Sequence, residues 1–259
     1  MDLGLNGKKV LVTAASKGLG YASARAFLIN GGRVIISSSN SENLKKAYES
    51  LKHLGEVYMI KADLTKKDEI DNLFAEVKKI FNGLDVLVYI TGGPRPGRFM
   101  DLSDDDWIRA SELLLLSAVR CAKYAAELMT QGGRIIFSAS IAIKEPIEDL
   151  VLSNVIRISI AGLVRTLSKE LGRKNILVNS VLPGLILTDR VKELAMNRAK
   201  KENKDVNDVI KEMSKDIPLG RLGSPEEYAN VILFLASNLA TYINGASIPI
   251  DGGLLKSVF

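Results

Sequence analysis

A glycine-rich turn close to the amino terminus limits what this chain can fold into. The turn spans residues 13–20 (TAASKGLG), follows the apolar run 10–12 and opens an amphipathic segment. Gly18 and Gly20 lack a Cβ, so the chain can turn tightly and a pyrophosphate can approach bare backbone at a helix N-terminus. A second apolar run at 33–37 completes a strand–helix–strand unit. That context favours dinucleotide binding, with an ordinary strand-to-helix turn as the alternative.

Apolar segments recur along the whole chain in the alternation that a parallel sheet requires. Runs typical of buried strands lie at 8–12, 33–37, 56–60, 84–90, 133–138, 175–181 and 246–250. Helical patterns lie between them at 18–30, 41–53, 66–82, 104–130, 150–173 and 225–237. The alternation predicts one α/β domain over residues 1–259, a Rossmann-type doubly wound parallel sheet of about seven strands with helices on both faces. Ligands of such sheets bind at the carboxyl ends of the strands.

One segment interrupts this alternation. Residues 187–216 lie between the last two predicted strands and are rich in Lys, Glu and Asp. Long insertions beside a ligand site often close over it. We therefore predict a mobile helical lid at 187–216, with a surface insertion as the alternative.

Charge and cysteine content exclude several classes of protein. The 35 basic and 30 acidic residues give a net charge of +5 but are interspersed, so we expect no nucleic-acid surface. The single Cys121 cannot form an intrachain disulfide and suits a reducing compartment, so we expect a cytoplasmic protein. No signal peptide is apparent and no apolar run reaches about 18 residues, so we expect no membrane span.

A single histidine limits the chemistry further. His53 lies in a charged helical stretch, far from any nucleophile motif. A Ser-His-Asp hydrolase would have to use it, and a zinc site built from His and Cys has too few ligands. We predict a surface histidine and no metal site.

Six segments resemble, in the right order, motifs of the short-chain dehydrogenase/reductase family. The turn 13–20 is similar to the family's TGxxxGxG, with Ala14 replacing the first glycine. The other matching segments are 62–65 (ADLT), which resembles the segment whose Asp contacts adenine, 89–93 (YITGG) at the NNAG position, 183–188 (PGLILT) at the PGxxxT segment, and the C-terminal 242–245 (YING) and 251–253 (DGG). The resemblance covers nearly the whole chain and is closest to 3-oxoacyl-[acyl-carrier-protein]-reductase-like members.

The family's catalytic residues are mostly replaced. The resemblance implies a Ser, a Tyr thirteen residues later, a Lys four residues after that, and an upstream Asn. Ser140 occupies the Ser position, but Ser153 replaces the Tyr, Arg157 the Lys and Leu114 the Asn. This chain therefore resembles divergent members that lack the Tyr-x-x-x-Lys motif.

The replacements change how a proton can be supplied. A carbonyl reductase needs a proton donor with a pKa not far from the working pH. Tyrosine starts at about 10, whereas a serine hydroxyl is a far weaker acid. Arg157 can still donate hydrogen bonds to a ribose, and it shares a helix face with Ser153. Either Ser140, Ser153, Asn154 and Arg157 form a repurposed site, or Ser153 and Arg157 are relics in a cofactor-binding protein with little turnover.

Two loops could contact the substrate. Lys144 and Glu145 follow Ser140 closely and could supply the missing proton, although they could equally be a solvated pair. Arg95 and Arg98 lie in a proline-containing loop after the fourth strand and could bind a carboxylate or phosphate, with exposed charge as the alternative. We expect a small substrate, anionic if either arginine binds it.

The residues after the second strand favour NADP(H). Ser38 and Ser39 stand where an NAD enzyme usually carries an acid that would repel a 2′-phosphate. Lys17 is placed as in NADP-preferring family members, and NAD(H) is the alternative cofactor. The cofactor-binding residues that the resemblance implies are Thr13, Ser16, Lys17, Gly18, Leu19, Gly20, Ser38, Ser39, Asp63, Leu64, Gly92, Arg157, Pro183, Gly184, Ile186 and Thr188.

Two functions therefore compete. The first is an NADP(H)-dependent oxidoreductase acting on a small carbonyl or hydroxyl substrate at an atypical site. The second is a dinucleotide-binding, non-catalytic protein that serves as a sensor or assembly partner. Helical segments 104–130 and 150–173 are apolar on more than one face, and family members pair them. We predict a homotetramer.

Overall fold

A single parallel sheet forms the centre of the protein, whose computed structural model describes residues 2–258. Its seven strands lie in the order β3-β2-β1-β4-β5-β6-β7, and every neighbouring pair is parallel. The strands are β1 (Lys9–Val12), β2 (Arg33–Ser38), β3 (Val57–Lys61), β4 (Val86–Tyr89), β5 (Gly133–Ser138), β6 (Ile176–Pro183) and β7 (Ser247–Ile250). The predicted doubly wound sheet is confirmed.

Helices cover both faces of this sheet because successive strand residues point to opposite sides. Val10 and Val12 of β1 pack in one core and Leu11 packs in the other. The first core contains residues of α1 (Gly18–Ile29), α2 (Ser41–Leu51) and α9 (Pro225–Ala236). The second contains residues of α3 (Lys67–Phe81), α5 (Ser117–Leu128) and α6 (Val151–Gly172).

The helix predicted over 104–130 runs without a break from Asp104 to Leu128, but its middle is not α-helical. It consists of α4 (Asp104–Ser111), a π-helical turn at Glu112–Leu116, and α5. A π turn shifts the backbone pairing. The carbonyl of Leu113 in this turn accepts hydrogen bonds from the hydroxyls of Tyr89 and Ser117.

Helix α6 is long and apolar enough to cross a membrane if length and composition alone are considered. Its residues Ile160 and Val164 are nevertheless buried in the core beneath the sheet. The helix also carries the buried Arg157. These features describe a core helix that delivers a polar group to the edge of the sheet.

The segment predicted as a lid is helical. It contains α7 (Asp189–Glu202) and α8 (Val206–Met213), which share a small apolar cluster of Ala195, Ala199 and Val209. The base of the segment is fixed where Leu187 N–H donates to the carbonyl of Gly223. Closure of this segment over the site stays a prediction.

Candidate active site

The turn after β1 has the backbone that a phosphate cradle requires. Gly18 adopts a φ of +56°, and Ala14, at the position where the family has glycine, adopts +48°. A Cβ on Gly20 would lie 2.5 Å from the carbonyl oxygen of Ala14, so only glycine fits there. The turn leads directly into the first turn of α1. Its glycines and the adjoining helix N-terminus fit the pyrophosphate of a dinucleotide.

Side chains of the turn tie it to neighbouring strands. Thr13 Oγ1 donates to the carbonyl of Ile90 at 2.7 Å and accepts from the Ile90 amide at 2.8 Å. Ser16 Oγ and Ser38 Oγ lie 3.0 Å apart, which joins the turn to the end of β2. Lys17 is exposed at the start of α1. Thr13 therefore positions the turn, while Lys17 stays available to a ligand.

The residues predicted at the adenosine end lie at the carboxyl ends of β2 and β3. Ser38 is buried and Ser39 is exposed. Asp63 is half-buried; burial raises its pKa, but hydrogen bonds from the amide and hydroxyl of Thr65 outweigh this and hold the pKa below its usual value. Leu64 beside it is buried in the core. Asp63 is thus an ionised acceptor suited to an adenine amino group.

A polar cavity of about 240 Å³ lies at the carboxyl ends of the central strands. Its lining residues are Leu19, Ile90, Thr91, Ser138, Ala139, Ser140, Ser153, Arg157, Pro183, Gly184, Ile186, Thr188 and Val191. The three residues proposed for catalysis, Ser140, Ser153 and Arg157, therefore meet around one cavity. The segment after β6 that the resemblance assigned to the cofactor lines the same cavity. This arrangement fits a nicotinamide ring beside Ser140 and Arg157.

The buried guanidinium of Arg157 is bound by a hydroxyl and by backbone carbonyls, and not by a carboxylate. Its Nε donates to Ser153 Oγ at 3.2 Å, one Nη to the carbonyls of Ser138 and Ala139, and the other Nη to the carbonyl of Gly92 at 3.3 Å. Burial lowers the pKa of Arg157 from its ordinary value, although a guanidinium remains protonated. The group therefore places fixed positive charge in the cavity.

The two serine hydroxyls keep a proton to donate. Ser140 Oγ accepts from the amide of Ala142 at 3.1 Å, and Ser153 Oγ accepts from Arg157. An oxygen that accepts these bonds can still donate its own O–H. Both hydroxyls can therefore stabilise negative charge on a substrate oxygen in the cavity.

No phenol replaces the family's missing tyrosine. Tyr89 and Tyr228 interact electrostatically with Arg157, but both are fully buried and neither lines the cavity. Burial raises the pKa of each phenol well above its usual value. Leu114, at the family's Asn position, packs with Leu152 in an apolar cluster. Neither phenol is therefore placed to act as a proton donor in the cavity.

The predicted substrate-binding residues outside the cavity have partners within the protein. Arg95 forms an ion pair with Asp106 at 2.6 Å, and Arg98 pairs with Asp149 at 2.8 Å. Glu145 accepts a hydrogen bond from the Lys256 amide near the carboxyl terminus, and the adjacent Lys144 does not line the cavity.

Asn154 has the same kind of internal role. Its side-chain oxygen accepts from the amide of Ile147, and its side-chain nitrogen donates to the carbonyl of Ile147. This amide therefore holds the loop before α6, and a substrate contact by it stays a prediction.

Sequence reasoning missed two polar lining residues, Thr91 and Ser138, and the apolar Val191. Thr91 lies inside the segment 89–93, from which only Gly92 was chosen. Ser138 precedes Ser140 by two residues at the end of β5, a spacing that predicts a common side. Thr91 Oγ1 is buried and has no hydrogen-bond partner among the residues described.

A larger cavity of about 610 Å³ lies between α1, α9 and the start of α7. It shares Thr188 with the polar cavity and also includes Gly18. Neither Ser140 nor Arg157 lines it. The smaller cavity is therefore the candidate for chemistry.

Comparison with known proteins identifies relatives over the full chain. Residues 13–255 match the protein family described as enoyl-(acyl carrier protein) reductase. The chain is 33% identical to the uncharacterized oxidoreductase YvrD of Bacillus subtilis over 264 aligned residues, covering 100% of both proteins. It is 31% identical to the 3-oxoacyl-[acyl-carrier-protein] reductase FabG of Aquifex aeolicus, covering 98% of this chain and 100% of that protein.

Solved structures agree with this assignment. The L-sorbose reductase of Gluconobacter frateurii, in complex with NADPH and L-sorbose, has a TM-score of 0.96 and 32% identity over 100% of both chains. A variant of the actinorhodin polyketide ketoreductase with NADPH has a TM-score of 0.89 and 25% identity, covering 96% of this chain and 97% of that one. Both are reductases solved with NADPH.

Proposed function

This chain belongs to the short-chain dehydrogenase/reductase family, and we propose that it is an NADP(H)-dependent oxidoreductase with an atypical catalytic site. Its substrate is a small carbonyl or hydroxyl compound, and the likeness to 3-oxoacyl-[acyl-carrier-protein] reductases supports a reaction of this type. The observation that carries the proposal is the polar cavity beside the phosphate cradle, in which Ser140, Ser153 and Arg157 converge.

Each residue has a role that follows from its hydrogen bonds. When bound, NADPH supplies the hydride. The Ser140 hydroxyl donates to the substrate oxygen, because its own oxygen already accepts from Ala142. Arg157 stabilises the negative charge that develops on that oxygen and holds Ser153 in place. Water supplies the proton that the family obtains from tyrosine.

NADPH is the preferred cofactor under this proposal. Neither residue directly after β2 is an acid: the exposed Ser39 is followed by Asn40, the N-cap of α2. A helix N-terminus and a hydroxyl favour a 2′-phosphate there. The two NADPH-bound reductases with the same fold support this preference.

A homotetramer is the proposed assembly. Helix α6 exposes Val155 and Ile158, and the π turn and α5 expose Leu116 and Val119. Exposed apolar side chains on neighbouring helices are typical of an interface. Light scattering at micromolar concentration tests this, and a monomeric mass would contradict it.

One observation favours a second candidate, a non-catalytic cofactor-binding protein. Leu114, at the position where the resemblance implies an Asn, packs in an apolar cluster and offers no polar group to a proton relay. Such a protein would bind NADPH and sense it without turnover.

The two candidates separate in one experiment. NADPH binding is measured by fluorescence titration, and oxidation of NADPH is then followed at saturation with a panel of short ketones, aldehydes and oxo acids. Turnover that Ser140→Ala lowers about 100-fold supports the oxidoreductase. Tight NADPH binding with no oxidation by any compound favours the second candidate.

A further inference from the structure

A guanidinium group beside the polar cavity has no ion-pair partner among residues 2–258. Arg190 lies in the first turn of α7 and is exposed. A Cβ built on Gly93 would lie 3.4 Å from Arg190 Nη1, so the guanidinium lies against the loop that leaves β4. Within residues 2–258, no carboxylate oxygen approaches it to 4.0 Å. The next residue, Val191, lines the cavity.

A second guanidinium lies on the inner side of the same loop. The carbonyl of Gly92 accepts from Arg157 Nη at 3.3 Å, so residues 92–93 separate the buried cation from Arg190. No Asp or Glu lines the cavity. Two cations with no facing acid create a positive potential that attracts an anion.

Thr91 supplies an independent indication of a ligand. It precedes this loop, lines the cavity, and its buried hydroxyl has no partner among the described residues. A buried hydroxyl without a partner costs free energy that a ligand oxygen would remove. Thr91 and Arg157 thus line one cavity, and Arg190 lies beside it, next to the lining residue Val191 and against Gly93.

The arginines expected from the sequence to bind an anion are not equivalent to Arg190. Arg95 and Arg98 already bind Asp106 and Asp149. The Arg190 guanidinium has no hydrogen-bond or ion-pair partner among the described residues. Its parallel N–H groups match the two oxygens of a carboxylate.

We infer that the substrate carries a carboxylate close to its carbonyl, as in short 2-oxo and 3-oxo acids, and that Arg190 binds this carboxylate. Arg190 is then a specificity-determining residue that selects oxo acids over neutral ketones. The inference rests on the proposed oxidoreductase function of the cavity.

Binding to the protein loaded with NADP⁺ tests the inference by calorimetry. The probes are acetoacetate and 2-oxobutyrate, each paired with its methyl ester. We expect the wild type to bind an acid more tightly than its ester. Arg190→Gln should weaken acid binding about tenfold and leave ester binding unchanged, and Arg190→Lys should restore part of the difference.

Lys192→Ala is the matched control. It removes one positive charge from the same helix, but Lys192 lines the separate cavity between α1 and α9. Acid binding should not change in this variant. Equal affinity of the wild type for acids and esters would overturn the inference. So would an equal loss of NADPH affinity in Arg190→Gln, because Arg190 would then bind the cofactor's phosphates.

Oxidation of NADPH with the same four compounds separates this inference from the proposed function. Acid-selective binding that depends on Arg190, with no oxidation, would support the anion site and contradict the oxidoreductase. Oxidation of acids and esters at equal rates, unaffected by Arg190→Gln, would support the oxidoreductase and contradict the anion site.

Discussion

The turn at 13–20 and the helix segment 153–157 lie at the same edge of the sheet but have diverged from the family in different ways. In the turn a side chain was added: Ala14 stands at a glycine position yet keeps a φ of +48°. In the helix segment the backbone is an ordinary helix, and the two reactive side chains are replaced by Ser153 and Arg157.

The difference shows what each region depends on. Phosphate binding depends on backbone conformation, which the packing of β1 against α1 maintains even with an unfavourable residue. Proton transfer depends on side-chain pKa values, which can change without disturbing α6. The turn 13–20 therefore keeps a backbone that fits a dinucleotide, while the helix segment 153–157 carries a buried arginine.

The largest expected effect on the reaction rate comes from restoring the tyrosine and lysine that the family uses for proton transfer. Ser153→Tyr with Arg157→Lys should raise the rate of carbonyl reduction by about 10² to 10⁴-fold, the contribution of a positioned general acid. The rate of NADPH oxidation measures it. Ser153→Phe with Arg157→Lys is the control, because it adds the ring without the hydroxyl. Equal rates in the two variants would mean that the reaction end differs in more than its acid.

Removing the Ser140 hydroxyl should lower turnover without affecting the cofactor. Ser140→Ala loses a donor to the reacting oxygen, so kcat should fall about 100-fold while the Kd for NADPH is unchanged. Ser159→Ala on α6 serves as the control, since its hydroxyl donates to the carbonyl of Ile156 and it does not line the cavity. An unchanged kcat in Ser140→Ala would contradict its assigned role.

Arg157 should contribute to cofactor affinity. Arg157→Ala removes charge-assisted hydrogen bonds worth about 1.5–3 kcal/mol, so NADPH binding should weaken about 10- to 100-fold in a fluorescence titration. Arg165→Ala, which removes an arginine further along α6, should have no such effect. If both variants bind NADPH like the wild type, Arg157 has a purely structural role.

The cofactor preference should respond to a charge after β2. Ser39→Asp adds an acceptor for a ribose hydroxyl and repels a 2′-phosphate, so the ratio of NADPH to NADH affinity should fall about tenfold. Titration of both cofactors measures the ratio. Ser39→Asn tests whether the charge is responsible, and wild-type protein that binds NADH more tightly would contradict the preference.

The smallest effect concerns the strained turn. Ala14→Gly relieves a left-handed conformation that costs about 1 kcal/mol in an L-residue, partly offset by the greater freedom of glycine when unfolded. Thermal unfolding should show Tm rising by about 1–3 °C. Ala15→Gly, at a buried position without positive φ, should lower Tm. A lower Tm in Ala14→Gly would mean that the methyl group makes a stabilising contact.

The central strands could be predicted from sequence because they are buried on both faces. Segments such as 133–138 and 175–181 are rich in Ile, Leu, Val and Phe with little regular alternation of polar residues, and β5 and β6 lie within a residue or two of them. The π turn could not be predicted, because the sequence ELLLL at 112–116 has the composition of an ordinary helix. It is accompanied by a hydrogen bond from Tyr89, which is distant in sequence.

The candidate site was predictable to the extent that it follows motif spacing. The spacing of the family's catalytic Ser, Tyr and Lys located Ser140, Ser153 and Arg157, and these residues line one cavity. The partners of the charged loop residues were not predictable, because Arg98 pairs with Asp149 only through the close approach of two loops. Arg190 was missed for the same reason: its position against Gly93 depends on where α7 begins.

Transfer of the cofactor's hydride to a substrate carbon tests the central claim most directly. NADPH carrying deuterium at C4 of the nicotinamide, in each of the two stereochemical forms, is incubated with the protein and a short oxo acid, and the hydroxy acid is examined by mass spectrometry. The account predicts one deuterium in the product from one of the two forms, and about 100-fold less labelled product with Ser140→Ala over the same time. NADPH that binds but never transfers deuterium to any carbonyl compound would contradict the account.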